Sequence, residues 1–90
     1  MHTLSAKLTF YIPSATSLKD KRQIRRSIID KTRQHFNVSV AEVDTQDMHQ
    51  TLTLGIAVVS GDAAHAQSSL DEIIRFMEEH TDAELTEVER

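Results

Sequence analysis

The side chains best spaced for chemistry in this 90-residue chain are cations: Lys19, Arg22, Arg26 and Arg33 recur at i, i+3, i+7 and i+14. On a helix turning about 100° per residue they share an arc of about 60°. Such a ridge can track the phosphates of structured RNA. With about four contacts and a slope near −0.9 per contact, borrowed from duplex DNA, affinity falls roughly 10²-fold between 50 and 200 mM salt. Two plainer readings stand beside it. The cations form an ordinary solvated face, or they answer Asp71, Glu72, Glu78 and Glu79 on a neighbouring helix, where exposed pairs contribute only about 0–1 kcal/mol each.

A second group is acidic. Glu42, Asp44 and Asp47 flank one turn and offer oxygens for Mg²⁺ or for acid/base work. The plainer reading has Asp44 and Asp47 bonding to local backbone as Asx turns. The histidines at 2, 35, 49, 65 and 80 lack the His-x-x-x-His and His-Glu-x-x-His spacings of metal sites and read as surface residues. With only Gly55 and Gly61 there is no glycine-rich phosphate loop, and without cysteine there is no thiolate ligand, thiol nucleophile or disulfide. The expectation is a noncatalytic protein with no metal and no cofactor.

The elements that must position these groups follow from periodicity. Leu4, Ala6, Leu8, Phe10 and Ile12 alternate as a strand with one buried face, and Pro13 ends it. Ser17 and Asp20 have capping-box spacing and open a helix over 18–36, whose Leu18, Ile24, Ile28, Ile29, Thr32 and Phe36 span about 140°. Residues 38–59 read as a β-hairpin around Asp44-Thr45-Gln46-Asp47. Val38 and Val40 have one parity there and Ala41 and Val43 the other, which means either a bulge or a strand covered on both faces. Gly61-Asp62 leads into a helix over 63–79 with Ala66, Leu70, Ile73, Ile74 and Met77 inward, and a weak strand runs through Leu85 and Val88.

The order β-α-β-β-α-β predicts one α+β domain, 1–90, of ferredoxin-like type: two helices side by side on one face of a four-stranded antiparallel sheet. The other face should show Lys7, Thr9 and Tyr11 beside Thr51, Thr53, Gly55 and Ala57. With Tyr11 its single aromatic it does not suit base stacking, but it suits a partner's surface, a homodimer among the options. Met1 runs straight into the first strand without a basic-then-apolar leader, and the longest apolar run is Ile56-Ala57-Val58-Val59. A cytoplasmic chain with no membrane segment is the expectation. Net charge is −4, but it divides as +6 over residues 1–36, −3 over 37–61 and −7 over 62–90.

Two stretches carry a family resemblance. Ser17-Leu18-Lys19-Asp20-Lys21-Arg22 and Phe36-Asn37-Val38-Ser39-Val40-Ala41-Glu42-Val43-Asp44, with Gln46-Asp47 beyond, resemble the YlxP-like family, a bacterial domain-of-unknown-function family. The resemblance spans nearly the whole chain and implies the ferredoxin-like sandwich. Genes of that family often neighbour translation and ribosome-maturation genes, which implies an accessory role there. It also makes Lys21, Glu42, Asp44, Gln46 and Asp47 interaction candidates, with Tyr11 from the open face and His49, which stands where members usually carry an aromatic residue. The alternative is a protein-interaction or homodimerisation module using the open sheet face, with no nucleic acid.

Overall fold

The alternation of β1 (His2–Tyr11) divides its side chains cleanly, Ala6, Leu8 and Phe10 going into the core and Ser5, Lys7, Thr9 and Tyr11 to the opposite face. The computed structural model describes residues 1–90, every position of the chain. Ser17, in extended conformation, accepts the Asp20 backbone N–H through Oγ at 3.1 Å and opens α1 (Leu18–His35). Asp20 reaches back to Thr16, accepting its N–H at 2.9 Å and its hydroxyl at 2.8 Å, so the capping box closes one residue further out than the usual form. Those Thr16 contacts hold the Asp20 carboxyl below its ordinary range.

β2 (Ser39–Glu42), β3 (Thr51–Ser60), α2 (Ala63–Glu79) and β4 (Glu84–Glu89) complete the chain. The sheet order is β2-β3-β1-β4, antiparallel throughout. Ile28 of α1 and Leu70, Ile73, Ile74 and Met77 of α2 join Leu8, Phe10, Leu52, Leu54 and Ile56 in one core, which puts both helices on one sheet face. Neither helix is long and apolar enough to cross a membrane. Where α1 and α2 meet, Phe76 stacks on His80 with ring centroids 3.9 Å apart and lies 4.6 Å from His35, so two of the surface histidines also pack on an aromatic side chain.

Both irregularities of the sequence pattern have local causes. β2 pairs with β3 in unbroken register, which excludes a bulge, while Ala41 stays exposed on the open face and only Val43, just past the strand, is partly covered there. Val40 enters the core, while Val43 lies across Gly55, where a Cβ would meet Val43 Cγ1 at 3.4 Å. The chain after β2 then folds back over the open face: the Val43 N–H donates to the Thr53 carbonyl at 2.9 Å and the Thr45 hydroxyl to the Thr53 hydroxyl at 2.9 Å. Thr53, expected on the open face, is therefore buried, at 2% exposure.

In β4 Leu85 and Val88 stand opposite the core residues Phe10 and Leu8, Leu85 packed on the core and Val88 exposed, yet they are three apart, a spacing that period 2 forbids on one face. A bulge resolves it, since Thr9 pairs with Glu87 and Phe10 with Leu85, leaving Thr86 as the extra residue with its hydroxyl on the Thr9 carbonyl at 3.1 Å. Glu84, Glu87 and Glu89 thereby stand opposite Tyr11, Thr9 and Lys7, the open-face residues of β1.

Candidate nucleic-acid interface

Helix α1 carries cations on two sides with opposite fates. Lys21 falls in the middle of the apolar arc and is 1% exposed. Its Nζ donates to the carbonyl oxygens of Thr45 at 2.8 Å, Gln46 at 3.2 Å and Thr51 at 3.2 Å. An ammonium has three N–H donors, and Glu42 Oε2, also 2.8 Å from Nζ, brings the oxygens around it to four. The other Glu42 oxygen accepts from Arg25 Nη1 at 2.8 Å. Burial pushes the Glu42 carboxyl up, but Lys21 and Arg25 outweigh that and hold it below its ordinary range.

Lys21 and Glu42, expected to be free for a partner, are thus interior residues. Their cluster joins the two family-like stretches, pinning the start of α1 to the end of β2 and to the loop that follows. Arg25 and the loop carbonyls were the members that sequence reasoning missed. The available signal was a lysine amid apolar side chains of an amphipathic helix, four residues before an arginine.

The remaining α1 cations face outward. Lys19, Arg22 and Arg26 are exposed and none makes an ion pair. Of the two plainer readings, neutralisation by α2 does not occur: Asp71 pairs with Arg90, and no acid of α2 forms an ion pair with α1. Arg33 departs from the ridge because its Nη2 donates to the Val40 carbonyl at 2.9 Å. Val43 bonds inward to Thr53, so two-residue alternation turns the Val40 carbonyl outward from the edge of the sheet, and Arg33 is committed there. Exposed Asp30 lies beside the ridge, about 20° from Lys19 on the helical wheel.

The acidic group does not assemble. Glu42 turns toward α1, whereas Asp44 Oδ2 meets Lys7 Nζ at 2.8 Å on the opposite sheet face. Asp44 has a left-handed φ of 64° and takes the chain out of β2, but its carboxylate bonds to Lys7, which corrects the Asx-turn reading. Asp47 makes no side-chain bond and is exposed, so that reading fails for it too. Lys7 also lies 3.4 Å from Glu89, and its hydrogen bond to Asp44, followed by the influence of Glu89, raises its pKa. Gln46 and His49 are exposed in the same loop, and Tyr11, 42% exposed, stands opposite Thr51 and Glu84 at that end of the sheet.

A solution structure of a de novo designed protein with a ferredoxin fold superposes with a TM-score of 0.61, covering 96% of this chain and 82% of that one at 21% identity, a likeness of fold alone. The uncharacterized protein YlxP of Bacillus subtilis (strain 168) is 33% identical over 75 residues, which make up 83% of this chain and 82% of that protein. The family model described as "Protein of unknown function (DUF503)" matches residues 3–90. With ferredoxin-like topology, near-complete coverage and both motif stretches folded onto one ion cluster, the chain belongs to this DUF503, YlxP-like family.

Proposed function

We propose that the protein is a noncatalytic accessory module of bacterial translation or ribosome maturation, acting in the cytoplasm by laying the outer side of α1 on structured RNA or a ribosomal surface. One observation carries the reading: Glu42 absorbs Lys21 and Arg25, while Lys19, Arg22 and Arg26 on the same helix are exposed and make no ion pair. These three cations supply about three phosphate contacts, and at a slope near −0.9 each, binding weakens roughly 40-fold between 50 and 200 mM salt. The −4 net charge does not forbid this, because a local patch acts within a Debye length of about 8 Å. The test is sedimentation with ribosomal subunits at both salt concentrations, beside an Arg22→Glu/Arg26→Glu variant. Cosedimentation that fades with salt and disappears in the variant supports the reading; none at 50 mM overturns it.

A second reading has its own observation. The open sheet face holds a shallow depression of about 580 Å³ whose floor is the small side chains Ser5, Ser39, Ala41 and Ala57 with Gly55 between them. Such a floor admits close approach by another protein surface or a second copy. A mass equal to one chain by light scattering at high concentration removes the homodimer.

A further inference from the structure

The Lys21 cluster has more oxygen than an ammonium can use. Four oxygens surround Nζ, those of Thr45, Gln46 and Thr51 and Glu42 Oε2, against three N–H donors. The carboxylate oxygen is buried and lies 2.8 Å from the charge, as close as the nearest carbonyl. A shell with more ligands than directed donors suits a spherical ion, which attracts every oxygen around it.

The dimensions select the class of ion. Oxygens at 2.8–3.2 Å stand too far out for Mg²⁺, at about 2.0–2.1 Å, or Ca²⁺, at about 2.3–2.6 Å. Three neutral carbonyls and one carboxylate, itself shared with Arg25, also supply too little negative charge for a divalent ion. Carbonyl oxygens at this range suit a weakly hydrated monovalent cation.

We propose that the loop after β2 encloses a monovalent-cation cage, in which the Lys21 ammonium is the resident tethered ion and which accepts potassium, ammonium or methylammonium once that tether is shortened. The cage is built from backbone that is also held by bonds other than those to Lys21. Val43 and Ile12 tie its two ends to Thr53 and Gln50 through backbone bonds of 2.9 Å, and a third backbone bond closes the Thr45–Met48 turn. Within it Lys21 does two things: it neutralises Glu42, and it fixes the loop that presents Gln46, Asp47 and His49.

The test uses the full chain as Lys21→Ala, which empties the space, and Lys21→Met, which removes the charge but keeps the stem. Melting is followed in 200 mM choline, sodium, potassium, ammonium and methylammonium chlorides, with the wild type as control. Potassium, ammonium and methylammonium should raise the midpoint of Lys21→Ala by roughly 5 °C or more over choline, as for a ligand held only by the folded state. The wild type and Lys21→Met should move equally in every salt. A Lys21→Ala chain that responds equally to all five salts, or stays unfolded in all of them, overturns the proposal.

Discussion

Lys21 and Arg22 are adjacent in sequence, alike in charge and placed on one helix, yet their environments share almost nothing. Lys21 points down among apolar neighbours, where water cannot solvate it, and protein oxygens must replace that water. Arg22 points out, keeps its hydration and answers to no acid. A rotation of about 100° thus separates a charge that shapes the fold from one available to a partner. Family-like motifs concentrated around the buried cluster therefore speak first to architecture.

The comparison breaks most forcefully at Lys21. Lys21→Met leaves Glu42 buried beside Arg25 alone and three carbonyls without their donor, and should cost about 3–5 kcal/mol, which urea denaturation would measure. Next is acid. Because the folded Glu42 carboxyl lies below its unfolded value, its stabilisation is complete above that unfolded value, about 4.3, and is lost as pH falls through the folded one. Glu42→Gln should be weaker at pH 7 and show a shallower loss below pH ~4.5 in pH-dependent melting.

Smaller effects sharpen the other side. Ser17→Ala removes the cap of α1 and should cost about 1 kcal/mol, lowering the melting midpoint by roughly 4–8 °C. Arg22→Glu/Arg26→Glu should leave stability within about 0.5 kcal/mol while abolishing ribosomal cosedimentation. Smallest of all, Asp30→Asn, beside the ridge, should strengthen that association a few-fold and vanish as an effect at high salt, by titration at 50 and 200 mM.

Most of the architecture was legible because alternation in β1 and β3 and the apolar arcs of both helices report burial directly. The legible part of the candidate site was likewise local: angular spacing placed Lys19, Arg22 and Arg26 together. What was not legible depended on contacts across the chain. Lys21 meets carbonyls 24, 25 and 30 residues away, Asp44 meets Lys7 across 37, and Arg33 bends to the edge of β2, and wheel angles carry none of this. Thr53 was misplaced for the same reason, since burial by a loop folding over the sheet leaves no period in the residues beneath it.

The Arg33 contact and the β4 bulge together bear on behaviour at high concentration. An exposed strand edge is a template on which further chains can polymerise. On one side of this sheet a guanidinium occupies the outward carbonyl of Val40, and on the other the bulged strand carries Glu84, Glu87 and Glu89. Copies approaching edge to edge therefore meet an occupied acceptor or a row of carboxylates, both of which disfavour pairing along the sheet edges.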